Sequence, residues 1–216
     1  MTGRTLAGFS IRPYERRDLE SLYEICLRTG DSGGDATHLH DDPQALGHLY
    51  AAPYAALEPG LAFVLEAPDV SVCGYILGAL DTREFHERFV REWLPQVQGR
   101  VPDPQGDPES WTPTERIYHR LHHARLHAPA RLDEYPSHLH IDLLPVAQGK
   151  GQGRRLMERL LGELRTRGSP GVHLGVGEKN VRAYGFYRRL GFAELERAPG
   201  SAFLGLKLEG ERHRPE

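Results

Sequence analysis

Only two cysteines, Cys26 and Cys73, occur in 216 residues. Each stands in an apolar run, YEICL and VCGYI, so a disulfide framework is excluded and both are expected as buried thiols in a reducing, cytoplasmic setting. Long hydrophobic runs are missing; none approaches the ~20 apolar residues of a membrane helix. The opening stretch MTGRTLAGFSIRP lacks the apolar centre of a secretion signal. There is no excess of positive charge either. Lys and Arg number 27 against 30 Asp and Glu, a net charge of -3, which offers no field for a nucleic-acid backbone.

Two well-known phosphate loops are absent as well. Lys150 is followed by Gly151, where a Walker loop requires Ser or Thr. Neither Gly149 nor Gly151 opens a GxGxxG, because Arg154 and Leu156 occupy the last glycine position. There is no HExxH. His119, His123 and His127, with His122 beside them, fall on one helical stripe of RIYHRLHHARLH. Without a third ligand type at recognisable spacing, this reads as a surface stripe and not a metal site.

What is present is an ordinary globular composition, 39% apolar and 26% charged. FSIRP reads as a first strand. A helix follows, capped by Asp18 and carrying Leu19, Leu22, Ile25 and Cys26 at helical spacing up to Gly30. A polar, Asp-rich loop leads to Asp42-Pro43, which opens a second helix to about Leu57. LAFVLE and VCGYILGAL form a hairpin across Pro68-Asp69. Residues 82–136 are a helical insertion, with EFHERFVREWL and TERIYHRLHHARLH joined by a Pro-rich connector. SHLHIDLL is a strand, Arg154 to Arg167 a helix, VHLGV a strand, and NVRAYGFYRRL a helix closed by Gly191. FAELERA and AFLGLKL pair at the end. The expected organisation is one α/β domain over 9–208, with 1–8 and 209–216 frayed. A strand-helix-strand crossover in the middle implies parallel pairing within a mixed sheet.

The stretch LLPVAQGKGQGRRLM runs a strand through three alternating glycines into an amphipathic helix. The first amides of a helix lack internal partners and carry the positive end of its dipole, which suits phosphate or pyrophosphate. Lys150, Arg154 and Arg155 add full charges. A tight turn and nothing more remains the plain alternative from these residues alone.

The pattern Gln148, Gly151, Gly153 after a strand and before a helix resembles the acetyl-CoA pyrophosphate loop of the GNAT N-acetyltransferase superfamily, R/Q-x-x-G-x-G/A. NVRAYGFYRRLGF resembles the later N-x-x-A-x-x-F-Y-x-x-x-G-F motif of the same superfamily. A narrower resemblance joins YERRDLESLYEICLRTGD, FVLEAPDVSVCGYILGALD, the insertion and YPSHLHIDLLP to the acetyltransferase-like domain at the C-terminal end of O-GlcNAcases, over about Ile11 to Leu208. Animal members have lost the loop glycines; this chain keeps them. The resemblance implies a mixed, splayed sheet of about seven strands flanked by helices, with acetyl-CoA as co-substrate. It implies cofactor contacts from Leu143, Leu144, Val146, Gln148, Gly149, Lys150, Gly151, Gln152, Gly153 and Arg154, and from Asn180, Ala183 and Tyr187 on the later helix. Tyr187 is the implied acid near the CoA sulfur. An edge-strand homodimer is left open.

Catalysis on an amine needs a proton acceptor, because an ordinary alkylamine is almost wholly protonated at neutral pH. Along SHLHIDLL side chains alternate, so His138, His140 and Asp142 share one face. Asp142 is the first expected base and His140 the second, with His138 third. The superfamily often carries its base on this strand, and the HLH triplet resembles that of arylalkylamine acetyltransferases. The acidic loop with Asp31, Asp35, Asp41 and Asp42 is expected to border an acceptor pocket and suit a cationic amine, or else to be solvated and self-capping. Trp93 and Trp111 are expected as packing anchors. The expected function is an acetyl-CoA-dependent N-acetyltransferase acting on a small-molecule amine or protein lysine. The alternatives are a non-catalytic acetyl-CoA-binding or protein-interaction module, and a nucleotide phosphate binder.

Overall fold

The computed structural model of the chain describes residues 8–69 and 71–208. Apart from Gly8, the terminal stretches expected to fray lie outside the described residues. The strands are β1 (Ser10–Pro13), β2 (Ala62–Glu66), β3 (Val72–Ala79), β4 (Ser137–Leu143), β5 (Gly171–Gly177), β6 (Ala193–Ala198) and β7 (Ser201–Lys207). They form one seven-stranded sheet in the order β1-β2-β3-β4-β5-β7-β6. Every pairing is antiparallel except β4 with β5. β3 is buried along nearly its whole length, and its almost continuous apolar run is what a mid-sheet strand covered on both faces requires.

One face carries α1 (Leu19–Thr29), α2 (Ala45–Tyr50), α3 (Ala52–Leu57) and the insertion helices; the other carries α7 (Gln152–Thr166) and α8 (Val181–Arg189). The insertion holds α4 (Thr82–Arg88), a π-helical turn over Phe89–Trp93, α5 (Leu94–Gln98) and α6 (Pro113–His122). No helix among the described residues is long and apolar enough to cross a membrane.

Three local expectations change. The single helix expected to run to Leu57 breaks at Ala51, with φ -128° and ψ -59°. Pro53 explains this, since it has no N–H to give the preceding turn. The helix expected to reach His127 ends at His122, and His127 instead packs its ring 4.8 Å from Phe203. Asp18 makes no side-chain cap to α1. It accepts two hydrogen bonds from the Arg12 guanidinium, at 2.6 and 2.7 Å, and one from the Glu15 amide at 2.8 Å. Arg12 also reaches Glu66 at 2.7 Å. β1 and β2 are thereby pinned to the start of α1, whose far end, Thr29, walls the cavity described below.

Burial pushes the Asp18 carboxyl up, but the Arg12 hydrogen bonds and the Glu15 amide outweigh it and hold the group below its usual range. A depressed carboxylate contributes stability above its unfolded value and loses it as pH falls through the folded one. Asp18→Asn is therefore expected to cost about 2–4 kcal/mol at pH 7. Urea denaturation should show that difference shrinking as pH falls below the carboxylate range. A variant as stable as the parent at pH 7 would refute the assignment.

Candidate functional site

The site begins where the sheet fails to close. β4 and β5 pair at Ser137↔Val172 and His138↔His173, and then separate. Residues Leu139 to Leu143 continue along β3 on one side, while their other side faces a cavity of about 640 Å³. Its opposite lip is Gly175–Gly177 of β5, and α8 closes it with Ala183, Phe186 and Tyr187.

The glycine turn forms one end of this cavity. Gly149 and Gly151 have φ of 71° and 76°, in the left-handed region where a Cβ is penalised. Gly153 is needed for another reason: a Cβ there would meet the Phe186 ring at 3.2 Å. The first bond of α7 is Arg155 N–H to the Gly151 carbonyl at 3.2 Å, and no side chain caps the helix. Among the described residues, no amide from Gly149 to Arg154 donates to a protein atom. This run of unused donors at a helix start is what an anion site consists of. Arg154, Arg182 and Arg189 line the same cavity. Arg182 donates to Gln148 Oε1 at 2.7 Å, and Gln148 Nε2 donates to the Leu143 carbonyl at 2.7 Å. Gln148 thus braces the turn against the end of β4.

The structure brings together most of the residues that the sequence singled out. Asp142, His140, Leu143, Gln148, Gly149, Gly151, Gly153, Arg154, Asn180, Ala183 and Tyr187 all line the cavity. Leu144, Val146, Lys150 and Gln152 do not. The Leu144 N–H donates to Cys73 and its carbonyl accepts from Ala147, so its backbone is already used. Lys150 lies over the Phe9 ring at 5.6 Å. Gln152 is buried and bonds Lys150 and Arg155 within the turn. Arg155, expected near the anion, is held at Phe9 and Gln152. Asn180 caps α8 through Oδ1, accepting from the Ala183 amide at 3.0 Å.

The three polar side chains of β4 share a face, as alternation requires, yet their states differ. His138 is fully engaged. Thr82 Oγ1 donates to the Pro136 carbonyl at 2.6 Å, so it accepts from His138 Nδ1 at 2.8 Å. Nε2 then accepts from the Tyr54 hydroxyl at 2.8 Å. Burial, then His173 and His140, push its pKa well down. This imidazole is a neutral structural strut. Asp142 sits opposite Tyr75 in the ladder and accepts from its hydroxyl at 2.6 Å. Burial raises its carboxyl to about 6, against the lowering effects of Tyr75 and Thr29. His140 packs against Tyr50 and Tyr54 at 5.7 and 5.2 Å between ring centres. Burial, then the charge of Arg120, bring it down to about 4. Among the described residues neither of its nitrogens has a protein partner, and neither is sealed from solvent.

Tyr187 is 8% exposed and faces the cavity. Burial, then Asp142, raise its hydroxyl, so it keeps its proton at neutral pH. A second cavity, of about 390 Å³, meets the first at Leu139, His140 and Gly175–Gly177. His140 lines both; Asp142 lines only the first.

Other expectations resolve elsewhere. None of Asp31, Asp35, Asp41 and Asp42 lines either cavity. Asp35 and Asp42 accept from the Thr37 and Gln44 amides, and Asp42 also accepts from the Tyr118 hydroxyl of α6 at 2.7 Å. These carboxylates brace the loop, and its Ser32 and Gly33 reach the first cavity instead. Trp93 and Trp111 anchor the insertion through bonds to the His48 and Gln105 carbonyls. His119 and His123 meet Asp103, donor atoms within 4.8 Å of one another, away from both cavities. Sequence reading missed Thr29, Arg182, Phe186, Arg189 and the second cavity, all of which depend on contacts between distant elements.

Residues 37–192 match the model of the acetyltransferase (GNAT) family. The chain is 29% identical over 193 residues to Protein O-GlcNAcase of Rattus norvegicus, an alignment covering 89% of this chain. It spans only 21% of that relative's length. Among solved structures, SsHAT superposes with a TM-score of 0.88 at 41% identity, covering 94% of this chain and 100% of that one. A GNAT superfamily phosphinothricin acetyltransferase from Sinorhizobium meliloti, solved in complex with AcCoA, gives 0.57 at 18% identity, covering 97% and 94%. At that identity the likeness is one of fold.

The raised Asp142 carboxyl generates a prediction. Its folded value exceeds the unfolded one, so stability falls as pH rises from the ordinary carboxylate range through about 6 and stays lowered above it. Asp142→Asn keeps an acceptor for Tyr75 and removes that penalty. Urea denaturation should find the variant more stable by about 1–3 kcal/mol at pH 7.5 and nearly equal to the parent below pH 4. No gain at pH 7.5 would contradict the burial argument.

Proposed function

Because the chain belongs to the acetyltransferase (GNAT) family, we propose that it binds acetyl-CoA in the first cavity and transfers the acetyl group to an amine presented from the second. The observation that carries this reading is the run of unused amides from Gly149 to Arg154 at one end of a cavity whose wall includes His140 and Tyr187. The donors suit a pyrophosphate, and Arg154 and Arg182 add charge. The open edge of β4, from Leu139 to Leu143, suits an extended amide-bearing arm laid beside it like a missing strand.

Acetyl-CoA, when bound, supplies an acetyl group activated as a thioester. The chain supplies position and proton transfer. The amine nitrogen bonds to the acetyl carbon, and the carbon–sulfur bond breaks. His140 accepts the proton that the amine gives up. It suits this role because its nitrogens are unpartnered, it stays neutral at pH 7, and it lines both cavities. Tyr187 donates a proton to the departing sulfur. Its buried, protonated hydroxyl supports that assignment. The products are an acetamide and CoA thiol, and the proton returns from His140 to Tyr187 through solvent. Asp142, tied to Tyr75 and confined to the first cavity, sets the field around Tyr187 and does not meet the acceptor.

Two measurements test this. Acetyl-CoA at about 100 times its Kd should stabilise the protein by about 2.7 kcal/mol, a Tm rise of roughly 5–10 °C for a chain of this size. ATP should give little. No shift with any CoA species would refute the assignment of the cavity. In CoA-release assays, His140→Ala should lose about 10²- to 10⁴-fold in kcat, and Tyr187→Phe about 10- to 10³-fold, both with the acetyl-CoA shift retained. Stabilisation by acetyl-CoA with no CoA released on any amine would indicate a non-catalytic binding module.

A further inference from the structure

We propose that the second cavity selects an aromatic amine bearing an anionic group, which Arg120 recognises. This rests on the acetyltransferase reading above and goes further by naming the acceptor class. The cavity contains Tyr50, Tyr54, Phe85, Phe89 and Phe203, an aromatic enclosure suited to a flat apolar body. Its ionisable lining is one-sided. Arg120 and the histidines His86, His127, His138, His140 and His173 line it, and among the described residues no Asp or Glu does. The nearby carboxylate of Glu196 is outside the lining and accepts from the Ala130 amide at 3.0 Å.

Arg120 is placed to hold an anion. Among the described residues it forms no ion pair. One guanidinium nitrogen donates to the Tyr50 hydroxyl, and the group lies 5.4 Å from the centre of the Tyr50 ring. The remaining N–H groups are available for a carboxylate, which guanidinium matches in pairs. Tyr50 also packs against His140 at 5.7 Å. The anion holder and the proton acceptor therefore both lie against one tyrosine ring. An acceptor carrying its amine and its acid at different positions of one aromatic body would engage both. A polyamine or a lysine-rich peptide would place cations beside Arg120 with no carboxylate in the lining to offset them. The low value of His140 points the same way, since a weak base serves an amine that arrives neutral, as one conjugated to an aromatic ring does.

The test uses the full chain with saturating acetyl-CoA and matched acceptors. These are 4-aminobenzoate against aniline, phenylalanine against phenethylamine, and 4-aminobutanoate, spermidine and a lysine-rich peptide. At least one carboxylated aromatic amine should exceed its uncharged partner in kcat/KM by tenfold or more, and exceed the polycations by more. Arg120→Gln should narrow the paired ratio to about twofold, mainly through KM for the acid, with the acetyl-CoA shift unchanged. Arg120→Lys should restore it in part. Preference for spermidine or the peptide, or a ratio unchanged in Arg120→Gln, would overturn the proposal. If no amine releases CoA, calorimetry with the CoA-loaded protein and 4-acetamidobenzoate separates the two readings. Binding that weakens tenfold in Arg120→Gln would uphold the cavity's selectivity while the transfer reading fails. Absence of binding would overturn the selectivity as well.

Discussion

Two strands that begin as neighbours and then part are the constraint on which the rest of this molecule depends. β4 and β5 share only two positions of parallel ladder. Past His138, one edge of β4 has no strand beside it among the described residues, although its other edge stays paired with β3 to Leu143. An unpaired edge in a sheet interior leaves backbone groups that water or a ligand must satisfy. Here it opens onto a cavity, and the divergence is backed on both faces. Thr29 of α1 stands on one side, and Phe186 and Tyr187 of α8 on the other. The glycine turn gains its meaning from this gap. Helix α7 starts where β4 ends, so its unused amides face the end of the same opening.

The polar face of β4 shows how one period-two pattern is resolved into separate roles. Three titratable side chains share a face, but each meets a different neighbour. His138 is bonded at both nitrogens and props α3 and α4 against the sheet. Asp142 is tied to Tyr75 in the layer under α1. His140 alone sits between aromatic rings, tilted to Tyr50 and edge-on to Tyr54, with its nitrogens unclaimed. Burial shifts all three toward their neutral forms, as desolvation of charge demands. What separates a strut from a proton acceptor is whether the lone pair is already used.

The insertion contributes shape and charge. Its helical stretches add Phe85, Phe89 and Arg120 to a space whose other walls include α2, α3, β4, β5 and β7. The acidic loop between α1 and α2, which composition alone would assign to an acceptor, spends Asp35 on its own turn and divides Asp42 between the Gln44 amide and the Tyr118 hydroxyl of α6. The electrostatic character of the second cavity therefore comes from the insertion and not from that loop, and it has the opposite sign.

The sequence by itself determined the strand order in outline, the mixed sheet, the glycine turn and the residues of β4 and α8 that meet around it. These are short-range signals: alternation, helical spacing, and glycine where φ is positive or a ring comes close. The family match and the seven-stranded sheet bear out the fold. Local rules misplaced what distant contacts decide. Arg12 drew Asp18 away from its cap, Phe203 drew His127 off its helix, and Cys73 and Ala147 had already taken the backbone of Leu144. Only the tertiary structure decided that β4 and β5 part after two pairs, and that Arg182 and Arg120 arrive from remote helices. Only there do His138 and His140, two residues apart and identical in type, come to differ. A side chain's chemistry is written in the sequence, but its free lone pairs and nearby charges are fixed by the neighbours that folding assigns.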